Sequence, residues 1–144
     1  MKQRDLLPAV LAAVRDSALK NIVVVEGAHE LRGEDDVHIV RCPDWERGPG
    51  ASLRCGLAAL GGGVGRAVIV LADGPELDPR AVDRLASHPE AFAAASYDGR
   101  TRSHPVAIDR SLWETIPDEG LRAATPVLVD CSDLRAPGDI DVKA

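Results

Sequence analysis

The unbroken apolar run Ala67-Val68-Ile69-Val70-Leu71 constrains this chain more than any other segment. A strand without polar alternation needs cover on both faces, and parallel sheets flanked by helices supply it. Aromatic residues make up only 3% of the chain, so that cover must come from Val, Leu, Ile and many Ala, which suits closely packed helix-on-sheet layers. The sequence therefore predicts an α/β fold. At 144 residues the chain is long enough for one ordinary hydrophobic core, and a single domain over 1–144 is expected.

The flanking pattern agrees. Apolar positions at helical spacing predict a helix from 6 to about 18, followed by Asn21 and the β-branched strand Ile22-Val23-Val24-Val25. Glu26-Gly27 and the acidic stretch Glu34-Asp35-Asp36 separate that strand from a second short one at 37–40. After a loop over 41–50, Ser52 reads as the N-cap of a helix through Leu53, Leu57 and Leu60, stopped by Gly61-Gly62-Gly63. Beyond the run at 67–71, Pro79 opens a helix reaching about Ser87. Strands are predicted at 91–96 and 105–108 around an Asp98-Gly99 tight turn, helix within 109–124, and short strands at 126–129 and 139–142. Strands alternating with helices imply a parallel sheet with right-handed crossovers, and ligands then collect outside the carboxyl ends of the strands.

Charge narrows the partners. The 17 basic and 23 acidic residues give a net charge of −6 with no basic cluster, which argues against a nucleic-acid partner, since that needs a positive stripe. Lys2 and Arg4 precede an apolar run as in a secretory signal, but Asp5, Pro8 and Arg15-Asp16 break that pattern. No stretch reaches membrane-spanning length, so a soluble, cytoplasmic protein with no membrane partner is expected. Cys42, Cys55 and Cys131 are odd in number and form no C-x-x-C pair, which favours a reducing compartment. His29, His38, His88 and His104 lack the spacing of a zinc site.

The residues just after the strands carry the chemistry. Asp73 should emerge at the sheet rim, with Gly74 and Pro75 fixing the turn. A lone rim carboxylate is a natural Mg²⁺ ligand, because magnesium takes few protein carboxylates and fills its shell with phosphate oxygens and water. An Asx-turn or N-cap aspartate is the plain alternative. Asp139 and Asp141 are two apart, so they share one face of a strand, where they can bind a cation together or simply be solvated. Gly48-Pro49-Gly50-Ala51-Ser52-Leu53-Arg54 enters a helix N-terminus, where backbone N–H groups and the helix dipole attract anions or polar base edges. It is equally an ordinary capped helix. Arg54 stands where a nucleophile elbow needs its second Gly, and Gly61 to Arg66 lacks the ending of a P-loop.

Taken in order, Cys42-Pro43-Asp44-Trp45-Glu46-Arg47-Gly48, Ala51-Ser52-Leu53-Arg54-Cys55-Gly56-Leu57, Leu71-Ala72-Asp73-Gly74-Pro75, Tyr97-Asp98-Gly99-Arg100, Ser103-His104-Pro105-Val106, Asp118-Glu119-Gly120-Leu121-Arg122 and Asp139-Ile140-Asp141 resemble the motifs of the MobA/MocA-like NTP transferase family. The resemblance implies a Rossmann-like, mostly parallel sheet with flanking helices. It also implies transfer of a nucleoside monophosphate, CMP foremost, from an NTP to a phosphorylated acceptor such as molybdopterin, with Mg²⁺. By resemblance, Asp73 and Asp141 are the metal-holding and catalytic carboxylates, with Asp139 a further candidate ligand. Gly50 and Ser52 line the nucleotide, and His104, Asp118 and Arg122 face the acceptor.

The family opens with a strand and a Gly-rich, basic loop that cradles the triphosphate, whereas this sequence begins at what would be the following helix and closes on Val142-Lys143-Ala144. The sequence reading is thus of an N-terminally truncated nucleotidyltransferase domain, incomplete at both ends, with apolar strand edges exposed. A homodimer or a complementing chain would restore the site. The alternative is a non-catalytic, partner-dependent nucleotide- or pterin-binding module of the same origin.

Overall fold

The computed structural model describes residues 3–19, 21–26, 38–72 and 74–138. Asp73, Asp139, Asp141 and the strand expected at 139–142 lie outside them. The described elements are α1 (Gln3–Asp16), β1 (Val23–Glu26), β2 (His38–Arg41), α2 (Pro49–Ala58), β3 (Arg66–Ile69), α3 (Pro79–Ser87), β4 (Phe92–Ser96), β5 (Val106–Asp109) and β6 (Val127–Asp130). Short 3-10 turns cover Trp45–Arg47 and Arg110–Thr115. The fold is mixed α/β, as the sequence predicts. Among the described residues, no helix is long and apolar enough to cross a membrane.

Two compact units share the chain: residues 1–20, 68–108 and 126–144 in the first, and 21–67 and 109–125 in the second. A four-stranded sheet in the order β3-β5-β4-β6 belongs mainly to the first unit. β4 runs parallel to β6, with Ala93 opposite Val127, and antiparallel to β5, with Phe92 opposite Ile108. This antiparallel pair is the one a turn at Asp98-Gly99 implies, set in a sheet otherwise expected to be mostly parallel. No helix separates β4 from β5, and strands joined without a crossover must reverse direction.

Their connection is longer than the tight turn expected at Asp98-Gly99. Asp98 nevertheless organises it: the backbone N–H groups of Arg100 and Thr101 and the Ser96 hydroxyl all donate to its Oδ1, at 2.8, 2.7 and 3.2 Å. Those bonds, the Thr101 N–H first and the Arg100 N–H next, hold the Asp98 carboxyl well below its ordinary value of 3.8. With the folded pKa depressed, the stabilising contribution is complete above the unfolded value and is lost as pH falls through the folded one. The thermal midpoint of Asp98→Asn should therefore fall less between pH 5 and pH 2 than that of the wild type, and parallel acid limbs would refute the assignment.

Alanine builds the core of the first unit. Ala81 and Leu85 of α3 pack on Ala93, Ala95, Ala107 and Val129 of the sheet, with Cys131 and Leu134 closing the cluster. Side chains this small let helix and sheet approach closely, which is how a chain nearly without aromatics fills its interior. α3 starts as expected: Pro79 occupies its first turn, and the Asp78 carboxylate accepts the Arg80 N–H at 2.9 Å. Its outer apolar face, Val82, meets Val10 and Ala13 of α1.

In the second unit, β1 and β2 pair in parallel from Val23 opposite His38 to Glu26 opposite Arg41. α2 packs on β1 at Gly56, where an added Cβ would stand 2.4 Å from Cγ2 of Val25. The helix expected within 109–124 reduces to the 3-10 turn Arg110–Thr115. Pro117 forces Ile116 into extended geometry (φ −66°, ψ 119°), and Gly120 sits at φ +97°, so the chain cannot continue as a helix.

Cys42 and Cys55 are joined in a disulfide, tying the end of β2 to α2, while Cys131 is a buried thiol. Disulfides persist mainly in oxidising surroundings, so this pair runs against the reading of all three cysteines as a reduced set. The partners are 13 residues apart in sequence, a separation no short cysteine motif marks.

Candidate functional site

The second unit gathers most of the described candidates around the start of α2. Its N-cap is Gly48 (φ +135°), with Pro49 at the first helical position. Ser52 is therefore a residue of the first turn rather than the N-cap, a correction that follows from Pro49: its fixed φ and missing N–H suit the opening of a helix better than any later position. The remaining first-turn donors are all engaged. The Gly50 N–H donates to the Asp118 carbonyl at 2.7 Å, and the Ala51 and Ser52 N–H groups reach the Gly48 carbonyl at 3.2 and 3.5 Å. The helix start thus turns its Gly50 donor to the chain itself.

Gly50 has a different task. A Cβ there would lie 1.6 Å from the Pro117 carbonyl oxygen and 2.8 Å from the Gly120 nitrogen, so only glycine lets the 117–120 turn lie against α2. Gly48 is equally confined, with the Asp118 carbonyl oxygen 2.3 Å from its virtual Cβ. Gly50, which the resemblance assigns to the nucleotide, and Gly48 are also the surface on which the Asp118 segment rests.

Arginines complete this junction. Arg54, on α2, donates to the Ile116 carbonyl and to the Asp118 carboxylate. Arg47, from the 3-10 turn, donates to the same carboxylate through Nη2 at 3.1 Å and Nε at 3.3 Å. The Arg54 bond first, and Arg47 after it, hold the Asp118 carboxyl below its ordinary value. Neither arginine carried a signal of its own in the sequence. Arg54 counted against a nucleophile elbow and as one member of a family motif, and the separation of 62 positions from Ile116 hides the contact.

Arg122 follows this turn on the exposed surface of the same unit. His104 belongs to the first unit, half-buried before β5, with its carbonyl accepting the Tyr97 hydroxyl at 2.7 Å. Burial, the largest cause, pushes the Tyr97 phenol up, so it stays a hydrogen-bond donor at every ordinary pH. The structure thus brings Gly50 and Asp118 into direct contact and keeps Ser52 one turn into the same helix. Among the described residues, no three His, Cys, Asp or Glu side chains could jointly hold a metal ion.

The MobA-like NTP transferase domain matches residues 1–126, and the chain belongs to that family. Its fold is that of several solved structures. The homologue of Mycobacterium tuberculosis Rv0371c from Mycobacterium sp. strain JC1 superposes with a TM-score of 0.69 at 20% identity, over 94% of this chain and 74% of that one. Rv0371c from M. tuberculosis H37Rv, solved in complex with manganese, gives 0.70 at 19% identity, over 87% and 76%. A nucleotidyl transferase from Methanothermobacter thermautotroptrophicus gives 0.65 at 24% identity, over 76% and 56%. No curated protein is significantly similar in sequence.

Proposed function

We propose that this domain transfers a nucleoside monophosphate, CMP foremost, from a nucleoside triphosphate to a phosphorylated small molecule such as molybdopterin. The observation that carries this reading is the family match over 1–126, a span that includes Gly50, Ser52, Asp73, His104, Asp118 and Arg122. In this reading the α2 start and Ser52 border the base and ribose, Arg122 and His104 face the acceptor, and Asp118 keeps the acceptor turn in place.

A divalent cation fits the donor set. Asp73 and Asp141, with Asp139 as a further carboxylate, are hard oxygen ligands of the kind Mg²⁺ and Mn²⁺ prefer. The manganese bound to Rv0371c supports the same class of ion. When bound, the cation neutralises charge on the triphosphate. The protein's own share is to hold two anionic substrates in line and keep water away, since an acceptor phosphate attacking an α-phosphate needs no covalent enzyme intermediate. Asp73 lies inside the matched span and Asp141 beyond it, so Asp73 is the residue to change first.

Pyrophosphate release from CTP, with Mg²⁺ and molybdopterin, tests the reading. Wild-type protein should release pyrophosphate only when both substrates are present, and Asp73→Asn should lower kcat/KM at least tenfold, about 1.4 kcal/mol of transition-state stabilisation. Equal release by both proteins would exclude Asp73 from the site, and no acceptor-dependent release would exclude this acceptor.

A further inference from the structure

The Arg54 side chain spans the two segments that the proposed function assigns to different substrates. It rises from α2, whose first turn borders the nucleotide, and grips the Ile116 carbonyl and the Asp118 carboxylate, which begin the turn leading to Arg122. Arg47 holds the other side of the same carboxylate, and the Gly50 N–H holds the Asp118 carbonyl. A planar guanidinium with several donors fixes two acceptors at once, which a single ammonium cannot do. Arg54 is half-buried, with 28% of its side chain exposed against 57% for Arg47, so its bonds are the less screened of the two.

We infer that Arg54 is a positioning residue: through Asp118 and the Ile116 carbonyl it fixes the turn at 116–122 to the first turn of α2, so that nucleotide binding on α2 orders the acceptor side of the site. The inference rests on the proposed function. Its physical basis is that α2 and the turn share bonds from both backbone and side chain, so a ligand that restrains one restrains the other. Asp118 then serves as a brace for the turn, and recognition of the acceptor phosphate falls to Arg122. A guanidinium is the better partner for an oxyanion than a carboxylate already held by two arginines.

Amide hydrogen exchange on the full chain tests this. Without nucleotide, amides of the 117–122 turn should exchange about fivefold faster in Arg54→Ala than in wild type, with a smaller increase in Arg54→Lys and none in Arg84→Ala, which removes an arginine–aspartate pair of the first unit. Adding saturating CTP and Mg²⁺ should slow the turn in wild type and leave it unchanged in Arg54→Ala, a selective loss that general destabilisation would not produce. Should Arg54→Ala fail to fold, Arg54→Lys carries the test, because it keeps the charge and loses the second bond. A turn that slows equally in wild type and variants overturns the coupling while leaving nucleotide binding intact. A wild-type turn and helix that ignore CTP altogether overturn the nucleotide reading, and the inference with it.

Discussion

Gly50→Ala should destabilise the second unit by about 3 kcal/mol, the upper range for forcing a methyl group into a filled space together with loss of one backbone hydrogen bond. Helix propensity argues the other way, since alanine in place of glycine favours a helix by about 1 kcal/mol. The geometry decides between them. The new Cβ meets the Pro117 carbonyl at 1.6 Å and the Gly120 nitrogen at 2.8 Å, and these are backbone atoms that cannot rotate away. The Gly50 N–H would also withdraw from the Asp118 carbonyl it now reaches at 2.7 Å. Gly62→Ala is the matched control, because a Cβ there meets nothing within 4 Å and its φ is not positive. It should change stability by no more than about 0.5 kcal/mol. Urea denaturation of both variants separates the cases, and equal midpoints would show that α2 does not depend on the close approach at Gly50.

Leu85→Ala should cost about 3 kcal/mol, within the range for leucine truncations in a packed core, and lower the thermal midpoint by about 6–12 °C for a chain of this size. Leu85 is fully buried, and its neighbours are mostly alanines, Ala81, Ala93, Ala95 and Ala107, whose single methyl groups cannot swing into the vacated space. Where the surroundings cannot collapse, the cavity persists and the loss sits high in its range. A drop below about 1 kcal/mol would mean that α3 moves inward onto the sheet.

The α/β class was legible because a few physical signals are local. The apolar run at 67–71 read as a strand and Pro79 as the first turn of a helix, and β3 (Arg66–Ile69) and α3 (Pro79–Ser87) follow, although β3 ends two residues earlier and lies mostly half-buried at the edge of the sheet rather than covered on both faces. The start of α2 was misread because Ser52 and Pro49 compete for the helix opening, and proline's missing donor decides that contest. The antiparallel direction of β5 was legible in the Asp98-Gly99 turn signal, whereas the longer connection joining it to β4 was not, because it rests on hydrogen bonds to Asp98 that strand propensity does not record. In the candidate site, Gly50 was picked out for its place in a loop, whereas the reason for a glycine there lies in Pro117, 67 positions away. The Arg54 and Arg47 grip on Asp118 and the Cys42–Cys55 disulfide are likewise tertiary facts, visible only once the segments meet.

The most direct measurement is a thermal-shift titration of the 144-residue chain with CTP, GTP, ATP and UTP, each with and without Mg²⁺. A ligand at 100 times its dissociation constant adds about 2.7 kcal/mol, enough to raise the midpoint by several degrees. A Mg²⁺-dependent rise with one nucleotide, CTP foremost, is the result expected of a nucleotidyltransferase site. No rise with any of the four would contradict nucleotide binding by this chain.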